Sequence, residues 1–179
     1  MKNNKRKVIF DCDPGLDDAL ALLLALASDN LDILAVTTIA GNTTIENTTQ
    51  NALDLLYFYG RSDIPVSRGN ANPLLGNFSM GAHVHGKRGI GSVELKSSSA
   101  QEHSLRAHDL IRKLLMESDE KITIIATGPL TNIALAITLY PEIIEKIELI
   151  SMMGGSLNVG NIGAATEANA GNDPEATHI

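Results

Sequence analysis

Apolar runs rich in β-branched residues alternate with longer helical patterns along this chain of 179 residues. The strand-like runs are "KVIF", "LDILAVTTIA", "DIPVSRG", "KITIIAT" and "ELISMMGG". The helical patterns are "DDALALLLALAS", "TIENTTQNALDLLYFYG", "HSLRAHDLIRKLLMES", "GPLTNIALAITLY" and the short "PEIIEKI". Such alternation, with strands apolar throughout, is typical of a largely parallel sheet covered on both faces. The sequence therefore predicts an α/β fold, an open, mostly parallel sheet with helices on both faces. No linker or repeat divides it, so we expect one domain over residues 1–179.

Two segments carry further structural predictions. The helical pattern "DDALALLLALAS" is apolar on most sides, which is typical of a buried helix. The segment from Asn70 to Ser99 is rich in Gly, Ser and Asn and has no hydrophobic period. Structureless stretches of that length are uncommon in compact domains unless they are functional. We therefore expect a mobile loop or lid there, held by few buried contacts.

Charge and composition exclude several classes of function. The net charge is −7 and aromatic residues make up 3% of the chain, so nucleic-acid binding is not expected. The basic cluster "KNNKRK" could touch a polyanion, but a solvated arm is the favoured interpretation. The longest apolar run, residues 19–27, is too short to span a bilayer, and no secretory signal follows the N-terminus. The single cysteine, Cys12, cannot form an intrachain disulfide, which favours a cytoplasmic protein.

Four carboxylates lie within the eight residues "DCDPGLDD", directly after the first predicted strand. Asp17 could be a helix cap, and Asp18 could be an acid in the first turn, where the helix dipole favours negative charge. That explanation leaves Asp11 and Asp13 without a role. Carboxylates this close repel one another, whereas several oxygen ligands together suit a hard cation such as Ca²⁺ or Mg²⁺. The loop therefore predicts a metal or catalytic site.

Other polar and glycine-rich motifs follow the remaining predicted strands. Gly41 and Asn42 follow the second strand, "TGPLTN" follows "KITIIA", and "MGGSLNVGN" follows "ELIS". In open α/β sheets ligands bind beyond the carboxyl ends of the strands. We therefore expect these motifs and the acidic loop to meet at one edge of the sheet.

The motif "DCDPGLDDALAL" closely resembles the N-terminal signature of the inosine–uridine preferring nucleoside hydrolases. "AVTTIAGN", "AHVHG", "TGPLTNIALA", "SMMGGS" and "EANAGNDPEA" also match that family in order and spacing. The resemblance implies a Rossmann-like nucleoside hydrolase fold and hydrolysis of the N-glycosidic bond of ribonucleosides to ribose and free base. It also implies one bound Ca²⁺, a place in nucleoside salvage or catabolism, and a homodimer or homotetramer.

The resemblance also implies roles for single residues. Asp13, Asp18 and the backbone carbonyl of Thr127 would hold Ca²⁺, and Asp13 would take a proton from the attacking water. Asp11 would orient its acidic neighbours from behind. The residues expected to bind substrate are Asp17, Asn42, Asn161, Glu167 and Asn169, with His85, and by one interpretation His83, near the base.

Family members are substantially longer than this chain. The resemblance therefore implies a fold incomplete at the C-terminus, without a further metal-binding aspartate and a leaving-group histidine. It also implies weak activity or none for residues 1–179. Ala168, between Glu167 and Asn169, replaces an aromatic residue that many members have.

Two alternatives stay open at this point. The first is a haloacid-dehalogenase-like phosphohydrolase that uses Mg²⁺ and the first aspartate of "DCD", Asp11, as nucleophile. The second is a non-catalytic fragment that binds metal. Cys12 is expected to face the core rather than to act as a nucleophile, because flanking carboxylates raise a thiol pKa.

Overall fold

The structure, a computed structural model, describes residues 5–179 apart from the side chains of Ala82 and His83. Part of the basic N-terminal cluster and the predicted role of His83 therefore lie outside the described residues. The strands are β1 (Arg6–Cys12), β2 (Leu31–Thr38), β3 (Val66–Arg68), β4 (Ile122–Ala126) and β5 (Ile147–Met152). The helices are α1 (Leu16–Ala27), α2 (Ile45–Phe58), α3 (Ala82–His85), α4 (Ala107–Glu117), α5 (Thr131–Leu139), α6 (Ala168–Asn172) and α7 (Pro174–His178), with a 3₁₀ helix at Pro141–Lys146.

The five strands form one parallel sheet in the order β3-β2-β1-β4-β5. The predicted α/β architecture is confirmed. β1 and β4 lie near the centre, where strands are enclosed on both faces, and this explains why "VIF" and "ITIIA" are almost wholly apolar. The carboxyl ends of β1, β2 and β4 consequently lie side by side, with Asp11 paired to Thr37 and to Ala126.

Alternate residues of β1 enter two different cores. Phe10 belongs to a cluster with Leu22 of α1 and Leu55 of α2, whereas Ile9 belongs to a cluster with Ile111 of α4 and Ile133 of α5. Successive strand side chains point to opposite faces, so α1 and α2 cover one face and α4 and α5 the other. The single thiol, Cys12, is fully buried in the first cluster, as predicted.

The prediction that α1 is a buried helix is wrong for one of its sides. Leu22 and Ala25 are buried against the sheet, but Leu20 is 68% and Leu24 75% exposed. β5 departs from the prediction in the same way, because it is an edge strand and its Leu149 is 48% exposed.

The segment from Asn70 to Ser99 is irregular apart from α3, as predicted, but it is anchored at many points. Thr43 Oγ1 donates to the carbonyl of Lys87 (3.1 Å), and Asn51 Nδ2 donates to that of Arg88 (2.6 Å). The N–H of Ser98 donates to Asp54 (2.7 Å). Most of the segment is exposed, so the expectation of few buried contacts holds. The contacts that anchor it are part-buried hydrogen bonds with polar side chains of α2 and with Thr43 just before α2. The mobility of the segment stays a prediction.

Across residues 5–179, no helix is both long enough and apolar enough to cross a membrane.

Candidate active site

The Asp13 carboxylate is buried where the ends of β1 and β2 meet. The N–H of Asn42 donates to its Oδ2 (2.7 Å), and Asn42 Nδ2 donates to its backbone carbonyl (3.0 Å). Gly41 and Gly128 close on the carboxylate from both sides, and a Cβ at either position would collide with it. These two glycines explain why the chain has "GN" after β2 and "TGP" after β4.

Asp18 joins the same cluster from the first turn of α1. Its Oδ2 accepts from the N–H of Gly15 (2.8 Å), so part of its role is to cap the helix. The same oxygen accepts from Asn42 Nδ2 (3.0 Å), and Oδ1 accepts from Thr127 Oγ1 (2.5 Å). Because Asn42 binds both Asp13 and Asp18, the two carboxylates converge at one point, as expected from the sequence.

Burial and mutual repulsion set the electrostatics of this pair. Burial raises the pKa of Asp13 well above its usual range, the Asp18 charge raises it further, and the Asn42 N–H partly opposes both. Burial also raises the pKa of Asp18, against hydrogen bonds from Thr127 and Gly15. Asp13 Oδ1 is buried and has no hydrogen-bond partner among the described residues. A cation beside this oxygen would both supply its partner and favour the charged form.

Asp11 lies behind the pair and is fully buried. Its Oδ1 accepts from Thr37 Oγ1 (2.5 Å) and Asn132 Nδ2 (2.9 Å), while Oδ2 has no partner among the described residues. Burial raises the pKa of Asp11 to about 6, although both hydrogen bonds act to lower it. Asn132 was not singled out from the sequence. The only sequence feature that could have indicated a role for Asn132 is its place directly after "TGPLT", at the end of a predicted strand.

Asn132 also connects Asp11 to the long loop. Its Nδ2 donates to the carbonyl of Thr38 (2.9 Å), and its Oδ1 accepts from the N–H (3.2 Å) and Nδ2 (3.0 Å) of Asn70. This fully buried amide thus holds the ends of β1 and β2 and the start of the 70–99 segment in fixed relation.

A cavity of about 230 Å³ opens beside the acidic pair. Four of the residues expected to bind substrate line it: Asn42, His85, Asn161 and Asn169. The other lining residues are Gly41, Ser79, Gly81, Val84, Ile162, Ala168 and Asn172. Its volume is below the roughly 300–1,000 Å³ of sites for drug-sized ligands, so it suits part of a small polar molecule.

The lining amides are held by local hydrogen bonds. Asn161 Oδ1 accepts from the N–H of Ala168 (2.7 Å). Asn169 Nδ2 donates to the carbonyls of Thr127 (2.7 Å) and Met153 (3.0 Å). The Thr127 carbonyl, expected to be a metal ligand, thus lies between the acidic pair and the cavity.

His85 reaches the cavity from the long segment. Its Nδ1 lies 3.4 Å from the N–H of Leu16 and 3.8 Å from Asp17 Oδ1, and 15% of its side chain is exposed. A Cβ at Gly15 would collide with His85 and Asn42, so a glycine is needed for this close approach. The sequence prediction placed His85 near substrate, and the structure puts it on the cavity wall.

Two other expected substrate residues do not line this cavity. The side chain of Asp17 is 69% exposed and lies near His85 rather than in the acidic cluster. Glu167 is buried and caps α6, accepting from the N–H groups of Gly155, Asn169 and Ala170.

The donor set suits a hard cation but is incomplete. Asp13, Asp18 and the Thr127 carbonyl supply oxygens, the atoms that Ca²⁺ prefers, and Asp13 Oδ1 is free to bind one. Over the described part of the chain, no three His, Cys, Asp or Glu side chains group to hold a metal ion. Since Ca²⁺ takes about 6–8 oxygen ligands, other groups must complete the shell.

Comparison with known proteins identifies the family of the chain. The family model "Inosine-uridine preferring nucleoside hydrolase" matches residues 8–179. The chain is 45% identical over 172 residues to the pyrimidine-specific ribonucleoside hydrolase RihA of Citrobacter koseri, covering 96% of this chain and 55% of the relative. It is 46% identical over 174 residues to RihA of Shewanella sp., covering 97% of this chain and 55% of that relative.

Solved structures agree with the sequence comparisons. The plant nucleoside hydrolase PpNRh1 superposes with a TM-score of 0.91 at 43% identity, covering 96% of this chain and 55% of that one. A purine-preferring ribonucleoside hydrolase from Gardnerella vaginalis gives a TM-score of 0.91 at 35% identity, with 96% and 56% covered. The chain thus spans about half the length of the relatives it matches.

Proposed function

The chain belongs to the inosine–uridine preferring nucleoside hydrolase family, and from that premise we propose that it carries part of a calcium-dependent ribonucleoside hydrolase site. The reaction is cleavage of the N-glycosidic bond by water, which gives ribose and a free base. The observation that carries the proposal is the buried pair Asp13 and Asp18, joined by Asn42 beside a polar cavity at the carboxyl edge of the sheet.

Asp13, Asp18 and the Thr127 carbonyl would hold the Ca²⁺ ion. When bound, a cation of this kind would make a water beside it more acidic than bulk water and would place it for attack. Asp13 accepts the proton of the attacking water, since it is the member of the acidic pair with a buried oxygen, Oδ1, that no described residue binds. Asn42 keeps both carboxylates in place, because its N–H donates to Asp13 Oδ2 (2.7 Å) and its Nδ2 to Asp18 Oδ2 (3.0 Å).

The cavity residues orient the nucleoside. Asn42, Asn161 and Asn169 present amides, which can both donate to and accept from ribose hydroxyls. His85 lies on the same wall and is available to the base. Asp17 contacts the sugar only if the sugar extends past the cavity. Glu167 contacts it only if Glu167 gives up its hydrogen bonds to the N–H groups of α6. The developing oxocarbenium-like charge on the sugar is stabilised by the nearby carboxylates, as in other glycoside hydrolysis.

The matching relatives differ in the base they accept, as the names pyrimidine-specific and purine-preferring state. We therefore propose ribonucleosides as the substrate class without assigning a base. The cytoplasmic location and the homo-oligomeric state stay predictions.

The phosphohydrolase alternative is not favoured. It requires Asp11 as a nucleophile, but this side chain is fully buried and Thr37 and Asn132 both bind its Oδ1. A phosphate group could not reach it without opening the centre of the sheet.

Release of ribose from uridine and inosine tests the proposal, with and without Ca²⁺ and a chelator. It should be measured on this chain and on this chain joined to the part of Citrobacter koseri RihA that the match leaves uncovered. We expect calcium-dependent ribose release from the joined protein, at most a trace from residues 1–179, and no phosphate from a phosphomonoester. Calcium-independent release, or phosphate release, would contradict the proposal.

A calorimetric titration of the 179-residue chain with Ca²⁺ gives a readout that does not depend on activity. Asp13→Asn and Asp18→Asn should each abolish the binding heat, while Asp29→Asn, at an exposed position, should leave it unchanged.

A further inference from the structure

A second polar cavity, of about 380 Å³, opens at the carboxyl end of β3, beside the starts of α2 and α4. Among the described residues, none lines both this cavity and the one beside the acidic pair. Ligands of open α/β sheets bind beyond the carboxyl ends of the strands, and sites for small molecules measure roughly 300–1,000 Å³. Place and size therefore both suit a small ligand. The polar side chains that line the cavity are those of Glu46, Arg68, Asn70, Arg106 and His108.

Arg106 brings to this cavity a positive charge that the chain leaves unpaired. It is exposed, and its guanidinium forms no ion pair or hydrogen bond with any described residue. Arg68, by contrast, is already paired, with Nε 2.7 Å from Glu102 Oε2 and Nη1 3.4 Å from Glu46 Oε1. The net charge of the chain is −7, so a free arginine at a cavity does not reflect a general excess of basic residues. A guanidinium in this position suits a phosphate or carboxylate group.

The start of α4 adds backbone donors beside Arg106. The N-cap residue of this helix is Arg106 itself, whose side chain has no acceptor and forms no cap. The acid of the first turn, Asp109, accepts from Tyr140 Oη (2.7 Å) instead. The free N–H groups of a helix start favour an anion, and phosphate groups commonly bind there. Guanidinium and N–H groups thus form one donor set at the same end of the cavity.

His108, in the first turn of α4, also lacks a partner. Its Nδ1 is buried and no described residue binds it, while its Nε2 lies 3.7 Å from Asp109 Oδ2, beyond hydrogen-bond range. Buried polar atoms in native proteins are nearly always hydrogen-bonded, so an unbound one needs an explanation. An acceptor oxygen in the cavity would give the ring the partner that it lacks.

The remaining polar groups favour hydroxyls rather than a bare anion. Glu46 is 67% exposed, and its carboxylate can only accept hydrogen bonds, so it repels a free anion but binds hydroxyl groups. Asn70 Nδ2 donates to Asn132 Oδ1 (3.0 Å), which leaves the side-chain oxygen of Asn70 to accept from a ligand. The cavity is also large enough for more than a phosphate ion.

We propose that this cavity binds a small sugar phosphate. Arg106, His108 and the start of α4 hold the phosphate group. Glu46 and Asn70 accept hydrogen bonds from the hydroxyls of the sugar. The proposal does not depend on the hydrolase activity proposed above, because it uses none of the residues assigned to that reaction.

Isothermal titration calorimetry of the 179-residue chain tests this proposal. The probes are glucose 6-phosphate, inorganic phosphate and glucose, and a chelator is present so that no bound cation contributes. We expect glucose 6-phosphate to bind, inorganic phosphate to bind more weakly, and glucose to give no heat. No heat with glucose 6-phosphate up to about 10 mM would overturn the proposal. Equal affinities for glucose 6-phosphate and inorganic phosphate would overturn the sugar ester and leave a site for phosphate alone.

Substitutions locate the binding within the chain. Arg106→Gln should weaken the affinity for glucose 6-phosphate at least about tenfold, because it removes charged hydrogen bonds to the phosphate. Arg112→Gln is the matched control: Arg112 lies on the same helix, away from the cavity, and pairs with Glu142 (3.0 Å), so this affinity should not change. Unchanged affinity in Arg106→Gln, with the fold intact by circular dichroism, would overturn the site.

Glu46→Ala separates the two parts of the ligand. It should weaken binding of glucose 6-phosphate, which loses an acceptor for its hydroxyls, but not binding of inorganic phosphate, which loses only a repulsive neighbour. Equal weakening of both would contradict the role assigned to Glu46. None of these heats depends on ribose release, so the proposed activity is judged separately.

Discussion

At the carboxyl edge of the sheet, Asp13 and Asp18 are buried and almost every one of their oxygens accepts a hydrogen bond from this chain. On the outer side of α1, by contrast, Leu20 and Leu24 are mostly exposed, and no other element among the described residues covers them. The two regions are close in the chain, since Leu20 follows Asp18 almost directly. The first region is organised by hydrogen bonds within the chain, whereas the second leaves large apolar side chains exposed.

The difference shows which features of a site residues 5–179 organise by themselves. Polar geometry is local, since Gly41 and Asn42 follow β2 and Gly128 follows β4, the two strands that pair with β1. Apolar burial is not local, because a helix needs neighbours on every apolar side. The acidic pair can therefore be organised within residues 5–179 while α1 is only half covered.

The largest effect expected is at the unpartnered Asp13 oxygen of the acidic edge. Asp13→Asn removes the proposed base and one metal ligand but keeps a side chain of the same size. General acid–base groups contribute about 10²–10⁴-fold, so ribose release by the joined protein should fall by at least that factor. Asp63→Asn, at an exposed position, is the control and should retain full activity. Activity of Asp13→Asn within tenfold of the parent would show that the acidic edge is not the reaction centre.

The second effect contrasts the two sides of α1 directly. Leu22→Ala, at a position 1% exposed, should lower the free energy of unfolding of residues 1–179 by about 2–5 kcal/mol. Leu24→Ala, at 75% exposure, should change it by no more than about 0.5 kcal/mol. Urea unfolding followed by circular dichroism gives both values. Equal losses would mean that α1 is covered on both sides in the 179-residue chain.

The sequence predicted the fold well where its signals are periodic. All five strands and the parallel sheet follow from apolar runs and their alternation with helices. The rule on strand ends predicted that the acidic loop lies beside Asn42, whereas the convergence of Asp13 and Asp18 was implied by the family resemblance. The burial of α1 could not be predicted, since an apolar helix does not show which of its sides this chain covers. The anchoring of the long segment was missed because Thr43, Asn47 and Asn51 bind backbone carbonyls, whose partners leave no pattern in the sequence.

Within the site, residue type was easier to predict than position. Asn42, Asn161 and Asn169 line the cavity as expected, but Asp17 turns outward and Glu167 binds backbone N–H groups. An acidic residue at the start of a helix can serve either the helix or a ligand, and only the geometry separates the two. The role of Asn132 was not predicted, because it arises only when Asp11, Thr38 and Asn70, from three separate segments, meet around its buried amide.

Asn51 gives the third effect and tests whether the polar edge extends to the long segment. It is fully buried, and its Nδ2 donates to the carbonyls of Pro14 (3.2 Å) and Arg88 (2.6 Å). Asn51→Ala leaves both carbonyls without that donor, which should cost about 1–3 kcal/mol of unfolding free energy. Hydrogen exchange should also accelerate around residues 86–91. The half-buried Asn47 donates to the Lys87 carbonyl of the same segment (3.2 Å), so Asn47→Ala should show the same effect more weakly. Unchanged exchange in Asn51→Ala would show that the segment is held by other contacts.

The smallest effect expected is the pH dependence of stability, and it distinguishes a charged buried edge from an apolar one. Burial raises the pKa of Asp11 from its usual 3.8 to about 6, so the folded state holds this proton more tightly than the unfolded chain does. Stability therefore falls as the pH rises from about 4 to about 6, and the cost persists at higher pH. Between pH 7 and pH 5 the calcium-free chain should gain about 1 kcal/mol from Asp11, since a tenfold difference in proton affinity corresponds to about 1.4 kcal/mol. Burial raises the pKa of Asp18 as well, so this carboxylate should add to the gain.

Urea unfolding at the two pH values measures the difference, and Asp11→Asn, which removes the titrating group, should reduce it. A calcium-free chain that is more stable at pH 7 than at pH 5 would mean that partners of these carboxylates favour their charged forms, and the acidic edge would then need no cation.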